Sequence, residues 1–245
     1  MVTITALLLA YLVGSVPFGY LFVRTVRGLD VRTYGSHSTG AINVIRVGGI
    51  WIGLATLVAD AGKAAVVVLV AAAAHMPATT VAAAAFLVMV GHAYSLWFLV
   101  KGGRPAEGKS VACALGILIG LAGIGVLPWR LALAPLGVWV FGLVVPRVLT
   151  GRWYWISPAT MLASLCIPAV VRAAHAPSPY LALSVAMTAL ILVRHRNNLK
   201  RLLAGTEPRL GQRAPLAADV RPGLRGSAAQ QRTPTSAPRA EGGRS

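Results

Sequence analysis

The sequence predicts an all-α polytopic membrane protein with about seven transmembrane helices. Of its 245 residues, 56% are hydrophobic and only 12% are charged, whereas soluble domains average about 25% charged residues. The apolar residues also occur in long blocks, which is typical of membrane-spanning helices. No strand pattern competes, and open strands could not satisfy their backbone groups in lipid.

Seven apolar stretches come close to the roughly 20 residues that a spanning helix needs. They cover residues 2–23, 48–74, 79–100, 110–128, 131–149, 153–174 and 178–194. The first lacks the basic start of a secretory signal, so we interpret it as a retained helix. The boundary between the fifth and the sixth is the least sharply marked, because Pro135, Pro146 and Pro158 can each kink or end a helix.

The positions of lysine and arginine predict the orientation. The connectors after the first, third and fifth stretches hold nine of these residues, and the even-numbered connectors hold only Arg130 and Arg172. Eleven more follow from Arg194 onward. Because basic connectors stay on the cytoplasmic side, we expect the N-terminus outside and the C-terminus in the cytoplasm.

Composition divides the chain into a membrane domain over residues 1–211 and a basic tail over residues 212–245. The tail cannot bury a core, so we expect it to be disordered and attracted to membrane lipids. It has no aromatic residues to stack on bases, which argues against nucleic acid as a partner despite the net charge of +17. Cys113 and Cys166 fall inside apolar stretches and indicate neither a disulfide nor a metal site.

A polar cassette, residues 35–46, connects the first two apolar stretches. Small residues such as Gly35, Ser36 and Gly40 let backbone N–H groups converge on an anion. Arg46 can hold two phosphate oxygens at once, and Asn43 adds an amide. The cassette therefore predicts a phosphate site at a membrane surface. The alternative is a flexible loop that carries a topology-determining arginine.

A second, glycine-rich cluster covers residues 101–110. From Gly103 to Ser110 it fits the P-loop pattern G-x-x-x-x-G-K-[ST]. A P-loop follows a strand, and here apolar helical stretches lie on both sides, so we do not expect nucleotide hydrolysis. Glycines before a helix N-terminus, here Gly102, Gly103 and Gly108, still predict a phosphate site when a lysine, Lys109, accompanies them.

The third cluster, residues 193–207, ends the seventh stretch. If it is helical, His195, Asn198 and Arg201 lie near one face. Membrane anchoring explains a histidine and an asparagine at this spacing less well. Ordinary membrane anchoring accounts for the other basic residues, Arg194, Arg196 and Lys200.

Three further polar residues lie inside the apolar stretches. Asp60 and Lys63 stand three residues apart, and charges inside a membrane usually pair or line a cavity. A structural ion pair and a supporting role in catalysis fit this pattern equally well. His92 is either a hydrogen-bonded packing residue or a further support. The predicted topology places all three polar clusters on the cytoplasmic side, where they can form one site.

These motifs together resemble a known family. They are Ser15-Val16-Pro17-Phe18-Gly19, Asp30-Val31-Arg32, the cassette, Asp60-Ala61-Gly62-Lys63, Gly91-His92, the region from Lys101 to Ala112, and His195-Arg196-Asn197-Asn198 through Glu207. Their order over roughly residues 10–207 resembles the bacterial acyl-phosphate:glycerol-3-phosphate acyltransferases, the PlsY family.

The resemblance implies a seven-helix enzyme of the bacterial inner (cytoplasmic) membrane, with its active site on the cytoplasmic side. Such an enzyme moves a fatty acyl group from acyl phosphate to glycerol 3-phosphate, giving lysophosphatidic acid and phosphate for phospholipid biosynthesis. It uses no cofactor and no metal. The resemblance assigns phosphate binding to Ser36 and Arg46, with Asn43 in support. Lys109 would hold the other phosphate and stabilise charge on the acyl carbonyl, and the resemblance also implies that His195 and Asn198 orient glycerol 3-phosphate.

The sequence departs from the family pattern at several positions. In the cassette, His37 replaces glycine, Ser38 replaces asparagine and Ile42 replaces threonine. Residues 104–107 are an insertion, and Ser95 stands where proline is usual. These departures leave open a paralogue with another acyl acceptor, or a copy with reduced activity. A non-enzymatic small transporter or lipid-binding membrane protein is the other alternative, but it would be expected to show internal repeats, and no convincing repeat is present.

Overall fold

The computed structural model describes residues 2–100, 108–151, 155–207 and 209. Within these residues the chain forms eleven α-helices and one short 3-10 turn, Val31–Thr33, and no strand. The helices are α1 Val2–Ser15, α2 Phe18–Arg27, α3 Ala41–Gly48, α4 Ile50–Ala73, α5 Ala78–Ala93, α6 Leu96–Val100, α7 Val111–Gly123, α8 Trp129–Thr150, α9 Ile156–Ala173, α10 Ser178–Arg194 and α11 Arg196–Leu203. The all-α prediction is confirmed for the described residues.

The first predicted helix, residues 2–23, is broken in two. α1 ends at Ser15 and α2 begins after Pro17, whose ring nitrogen carries no hydrogen to continue the helical ladder. α2 ends where Gly28 adopts the left-handed conformation, with φ of 68°. The break frees the carbonyl oxygen of Val16 from the helical ladder, and Lys63 Nζ donates to it at 2.9 Å.

Other observed helices also differ from the predicted stretches. Residues 79–100 split into α5 and α6 around Tyr94 and Ser95, and the stretch over residues 110–128 shortens to α7. The sequence predicts a connector over the whole cassette, whereas its second half forms the helix α3. Gly40 and Gly49 flank α3, and Gly49 has φ of 98°, which allows the sharp turn into α4.

Glycines let pairs of helices approach until their backbones touch. A Cβ atom built on Gly14 of α1 would overlap the backbone of Val88 in α5, and one on Gly91 of α5 would overlap the backbone of Tyr11. Gly116 of α7 meets the backbone of α4 in the same way. Such small residues are common between membrane helices, where close van der Waals packing drives association.

The apolar core lies between α4, α5, α7 and α10. Val68, Met89, Ile117 and Met187 are among its fully buried side chains. The outer faces of the helices are also apolar, and Trp51, for example, is 80% exposed. Apolar surface on this scale is unfavourable in water and fits contact with lipid.

Among the described residues, four apolar segments are long enough to cross a membrane: Val2–Arg27 taken together, Ile50–Ala73, Trp129–Thr150 and Ile156–Ala173. The pair α10 and α11, bent by 47°, counts as a fifth if it is one span. α5 and α7 are apolar but shorter. The count of seven and the orientation of the termini therefore stay predictions. All described residues belong to one compact unit that extends to Ala214, and the predicted tail over 212–245 lies outside the described residues.

Candidate active site

The cassette folds around the side chain of Asn43, which is buried in the first turn of α3. Its amide oxygen accepts a hydrogen bond from the backbone N–H of Ser36 at 3.0 Å. Its amide nitrogen donates to the carbonyl oxygens of Val31, Tyr34 and Ser38 at 2.8 to 3.1 Å. Both ends of the Asn43 amide are thus bonded to backbone, so Asn43 determines the shape of the cassette.

The departure at position 37 falls on a turn that favours glycine. His37 is left-handed, with φ of 58°, and a side chain in that region costs about 1 kcal/mol relative to glycine. Its Nδ1 atom lies 2.8 Å from the carbonyl oxygen of Arg32, a hydrogen bond that offsets part of this cost. The hydroxyl of Ser38 accepts from the backbone N–H of Gly40 at 3.1 Å. Both substituted side chains therefore bond to the turn that contains them.

The segment before the cassette is fixed by Asp30 and Arg32. The Asp30 carboxylate caps the 3-10 turn and pairs with the Arg32 guanidinium at 2.7 Å. That guanidinium holds the pKa of Asp30 below its usual value. Arg32 also lies over the ring of Phe98 at 4.3 Å, a cation–π contact that attaches the turn to α6.

Arg46 lies in the last turn of α3. Its Nε atom is buried without a hydrogen-bond partner, an arrangement that costs about 1–3 kcal/mol. Burial lowers the pKa of Arg46, and the negative charge of Glu207 opposes this shift. A buried guanidinium with an unused donor is suited to binding an anion.

The second cluster is described only at its end. Gly108, Lys109 and Ser110 are described, whereas Gly102 and Gly103 lie outside the described residues. The nearest described elements, α6 and α7, are helices, whereas a P-loop follows a strand. Lys109 lies just before the N-terminus of α7, where the helix dipole favours a bound anion.

The short loop before α7, residues 108–110, packs directly on α5. A Cβ atom built on Gly108 would overlap the carbonyl oxygen and the ring of His92. Ser110 is left-handed, with φ of 56°, and its hydroxyl donates to the carbonyl oxygen of Met89 at 2.9 Å. The position of Lys109 is therefore determined by contacts on both sides of it.

His195 joins α10 to α11 and is only 3% exposed. Its Nδ1 atom lies 2.8 Å from the carbonyl oxygen of Ile191. Because a carbonyl only accepts, Nδ1 is assigned the hydrogen and Nε2 is left as an acceptor. Burial and the positive charge of Lys109 lower the pKa of His195 to about 4, so its ring is neutral at neutral pH.

Glu207, which sequence reasoning did not assign to the site, holds the third cluster together. Its Oε1 atom accepts from the hydroxyl of Ser157 at 2.6 Å and from Nδ2 of Asn198 at 2.7 Å. Its Oε2 atom accepts from Nε of Arg201 at 2.8 Å. Burial acts to raise the pKa of Glu207, but these three hydrogen bonds hold it below its usual value.

A signal for Glu207 was present in the sequence. It is the only acidic residue between positions 108 and 218, and a carboxylate isolated in so basic a segment is expected to be paired. No such signal marks Ser157, which is one of several hydroxyl residues in an apolar stretch. Its hydroxyl also accepts from Nδ2 of Asn198 at 2.8 Å, so its role depends on the fold.

The polar residues inside the apolar stretches form a buried network. Nζ of Lys63 lies 2.8 Å from Oδ1 of Asp60 and 3.1 Å from Nδ1 of His92. Lys63 also donates to the carbonyl oxygen of Val16, as described above. The network thus attaches the break after α1 to α4 and α5. A structural ion pair accounts for this arrangement, and a supporting role in catalysis is compatible with it.

A cavity of about 330 Å³ lies where the three clusters meet. The predicted site residues in its lining are Ser36, Gly40, Asn43, Arg46, Asp60, His92, Lys109, His195 and Asn198. Gly35, Lys63 and Gly108 do not line it, although Gly35 and Gly108 directly precede lining residues and Lys63 bonds to His92. Ser157 and Glu207 also line the cavity. Segments far apart in sequence therefore form one site in which Arg46 and Lys109 supply positive charge.

A second cavity, of about 130 Å³, adjoins the first and is almost entirely apolar. The two cavities share five lining residues: Leu57, Val111, Ala112, Trp139 and Thr160. The rest of its wall is made mainly of aliphatic side chains from α7, α8 and α9, with Ile191 of α10. The polar site thus continues into a space that suits a hydrocarbon chain.

The groups around the polar cavity favour catalysis by binding and positioning. Cys113 donates to the carbonyl oxygen of Asp60 inside the core, and neither cysteine lines the cavity. Among the described residues, no three or more His, Cys, Asp or Glu side chains are grouped as metal ligands would be. Besides the paired groups of Asp60, His92 and Glu207, the lining offers two cations, the neutral imidazole of His195, amides and hydroxyls, which suit transfer between phosphorylated substrates.

Comparison with known proteins identifies the family to which the chain belongs. A family model described as glycerol-3-phosphate acyltransferase matches residues 4–205. The chain belongs to this family. The glycerol-3-phosphate acyltransferase of Synechococcus sp. (strain JA-2-3B'a(2-13)) is 39% identical over 208 residues, which cover 85% of this chain and 94% of that protein. That of Thermosynechococcus vestitus is 38% identical over 214 residues, covering 83% of this chain and 93% of that protein.

Two crystal structures of PlsY (YgiH), an integral membrane glycerol 3-phosphate acyltransferase, have a similar fold. The glycerol 3-phosphate form has a TM-score of 0.73 and 27% identity, covering 86% of this chain and 96% of that one. The lysophosphatidic acid form has a TM-score of 0.71 and the same identity, covering 85% and 95%. The predicted membership of the PlsY family and the predicted integral membrane fold are confirmed.

Proposed function

We propose that this member of the glycerol-3-phosphate acyltransferase family moves a fatty acyl group from acyl phosphate to glycerol 3-phosphate. The products are lysophosphatidic acid and inorganic phosphate, within phospholipid biosynthesis. The observation that carries the proposal is the convergence of Arg46, Lys109 and His195 on one cavity that adjoins an apolar one. Both substrates carry phosphate and one carries a hydrocarbon chain, so the pair of cavities matches both.

Arg46 and Ser36 are assigned to one phosphate group. The support is the buried Nε atom of Arg46, which has no protein partner and can donate beside the terminal guanidinium nitrogens. Ser36 uses its backbone N–H for Asn43, so its hydroxyl is the group offered to the ligand. Lys109 is assigned to the other phosphate, at the N-terminal end of α7.

His195 and Asn198 are assigned to orienting the glycerol hydroxyls. The imidazole is neutral and offers Nε2 as an acceptor. Nδ2 of Asn198 donates to Ser157 and Glu207, which leaves its amide oxygen as a second acceptor. Two acceptors in fixed positions can hold a polyol in one orientation.

The reaction needs no covalent intermediate on the protein. The first hydroxyl of glycerol 3-phosphate attacks the carbonyl carbon of acyl phosphate, and a new ester C–O bond forms. The bond between that carbon and the phosphate oxygen breaks, and the hydroxyl proton passes to the departing phosphate. Lys109 stabilises the negative charge that builds on the carbonyl oxygen. So written, the reaction uses no cofactor and no metal.

The apolar cavity is assigned to the acyl chain. The acyl carbonyl is assigned to the wall that the two cavities share, which includes Trp139 and Val111. A chain bound there is shielded from water by α7, α8 and α9. Each methylene buried in this way contributes about 0.8 kcal/mol to binding.

The other predicted residues are assigned supporting roles. Asn43 holds the shape of the cassette, and Gly108 lets the loop before α7 pack on His92 and so positions Lys109. The glycines at 35, 40, 102 and 103 are assigned to letting the backbone approach substrate. Asp60, Lys63 and His92 hold α1, α4 and α5 together beside the cavity.

We also propose seven spans, with the N-terminus outside and the C-terminus in the cytoplasm. Four long segments, the bent pair and the two shorter apolar helices together support that number. The arginine and lysine bias supports a cytoplasmic-side active site in the bacterial cytoplasmic membrane. The residues over 212–245 are proposed to be a disordered basic tail that contacts membrane lipids and not nucleic acid.

Purified protein with acyl phosphate and glycerol 3-phosphate provides the test, with release of inorganic phosphate as the measurement. Wild type should release phosphate in proportion to added acceptor, and Lys109→Ala should not. Lys200→Ala is the matched control, because Lys200 is exposed on α11 and does not line the cavity. If wild type releases phosphate only with a different phosphorylated acceptor, the protein is the paralogue with another acyl acceptor. If folded wild type and folded Lys109→Ala release no phosphate with any acceptor, an enzymatic function is refuted.

A further inference from the structure

Arg194, the last residue of α10, makes a contact that membrane anchoring does not explain. Its Nε atom donates to the carbonyl oxygen of Gly108 at 2.9 Å, across 86 positions of the chain. The next residue after each partner is a cavity residue: Lys109 follows Gly108, and His195 follows Arg194. One hydrogen bond therefore joins the two segments that carry the lysine and the histidine of the site.

The guanidinium of Arg194 is itself held in place. It lies over the ring of Tyr94 at 4.8 Å from the centroid, a cation–π contact. The carbonyl oxygen of Tyr94 accepts from the hydroxyl of Tyr11 at 2.9 Å, which connects this corner to α1. An arginine required only for orientation in the membrane needs no such arrangement, because its charge alone suffices.

The loop of residues 108–110 has separate attachments to α5 and to α10. On the α5 side the hydroxyl of Ser110 bonds to Met89, and Gly108 packs on His92. On the α10 side the described hydrogen bond is the one from Arg194. Loss of that bond would remove this attachment of the loop to the helix that carries His195, whereas the attachments to α5 would remain.

We propose that Arg194 is a positioning residue for acyl transfer, whose hydrogen bond to Gly108 sets the separation between Lys109 and His195. This role rests on the proposed function, because it matters only if both residues act on the same pair of substrates. Lys109 stabilises the carbonyl oxygen and His195 orients the attacking hydroxyl, so their separation determines the geometry of attack. The electrostatic effect of Lys109 on His195 supports their proximity.

Three variants separate the effect of the hydrogen-bond donor at residue 194 from the effects of its positive charge and of where that charge lies in the chain. Arg194→Met removes the donor while keeping a long side chain, and Arg194→Lys keeps a charged donor. Arg196→Met is the matched control, because it removes an exposed positive charge two residues away. Arg194→Met should lower kcat by about 10- to 100-fold, since a misplacement of about 1 Å has effects of this size. Arg194→Lys should recover at least about a third of the wild-type kcat if the donor is what matters.

Two readouts distinguish positioning from other roles. The KM for glycerol 3-phosphate should change by less than about threefold in Arg194→Met, because the residue does not bind this substrate. The thermal midpoint of the folded protein should stay within about 2 °C of wild type, a small change for a chain of this size. A rise in KM with unchanged kcat, or a loss of activity that follows a large fall in the midpoint, overturns the proposal.

A measurement without turnover keeps this test separate from that of the proposed function. The chain has only four lysines, Lys63, Lys101, Lys109 and Lys200, so modification of each by an amine-reactive reagent can be followed by mass spectrometry. In Arg194→Met the rate at Lys109 should rise by about threefold or more as the loop loosens, and the rate at Lys200 should not. An unchanged rate at Lys109 overturns the role of Arg194 even if wild type is active. An inactive wild type with the increased rate at Lys109 refutes the proposed function and leaves the contact itself established.

Discussion

Replacing Glu207 by glutamine perturbs the arrangement that shapes the third cluster. Glutamine keeps the size of the side chain but places an NH₂ group where one carboxylate oxygen was. Both oxygens of Glu207 accept from donors: Oε1 from Ser157 and Asn198, Oε2 from Arg201. Whichever way the amide turns, its NH₂ group faces a donor, so at least one hydrogen bond is lost.

The magnitude follows from burial and from the kind of bond lost. The Glu207 side chain is 5% exposed and that of Arg201 is 33% exposed, so the ion pair itself is worth less than about 1 kcal/mol. Each hydrogen bond to the charged carboxylate contributes about 1.5–3 kcal/mol. Glutamine should turn its NH₂ group towards Arg201, so this pair is lost, and the two bonds from Ser157 and Asn198 become neutral ones worth about 1 kcal/mol each. The lost pair and the two weakened bonds together lower the free energy of unfolding by roughly 2–4 kcal/mol. At roughly 2–4 °C per kcal/mol, the thermal midpoint should fall by about 5–15 °C.

Thermal unfolding of purified Glu207→Gln in detergent, together with phosphate release, measures this effect. Glu241→Gln removes the same charge elsewhere in the chain and is the control. The pKa of Glu207 in the folded protein lies below its ordinary value of 4.5. Its stabilisation is therefore present above pH 4.5 and is lost as the pH falls through the folded-state pKa, whereas the variant lacks this dependence. A midpoint within about 2 °C of wild type, with full activity, would refute the reasoning.

Four other changes test separate parts of the site. Arg46→Lys should raise the KM for the phosphate substrate by about tenfold, since lysine cannot hold two phosphate oxygens in a fixed plane; an unchanged KM would exclude bidentate binding. Gly108→Ala should abolish most phosphate release because its Cβ atom would overlap His92, whereas Gly137→Ala, whose Cβ atom meets open space, should not. His37→Gly should be more stable than His37→Ala by about 1 kcal/mol, because both lose the imidazole and only glycine relieves the left-handed backbone; chemical unfolding of the pair gives the difference. The pKa of His195 is about 4 in the folded protein, against an ordinary value of 6.5. Wild type should therefore lose stability relative to His195→Gln as the pH falls from 6.5 to 4, and parallel profiles would contradict a neutral buried imidazole.

The helical fold and the three polar clusters follow from local properties of the sequence. Apolar blocks about as long as a membrane is thick predict helices, because lipid leaves backbone groups no other partner. Glycine, serine and arginine in the cassette predict an anion site from their donors alone. These inferences need only residues that are neighbours in the chain, and the family resemblance depends on the same motifs.

Helix breaks were harder to predict than helices. The stretch over residues 2–23 looks continuous in hydropathy, but Pro17 interrupts it and frees a carbonyl oxygen for Lys63. The spacing of Asp60 and Lys63 favours an ion pair and a supporting role in catalysis equally, and their partners Val16 and His92 come from other parts of the chain. Which residues become these partners depends on the glycine-containing helix faces through which α1 and α5 pack.

The sequence by itself determined the class of protein and its helical stretches, and it predicts phosphate binding by the three clusters. Only the tertiary structure decided that Glu207 reaches Ser157 across 50 positions, and that Arg194 reaches Gly108 across 86. It also showed that Arg194 makes contacts that membrane anchoring does not require. The physical reason is that composition and periodicity describe the environment of a residue, whereas a partner is determined by how close the packed helices bring two distant side chains.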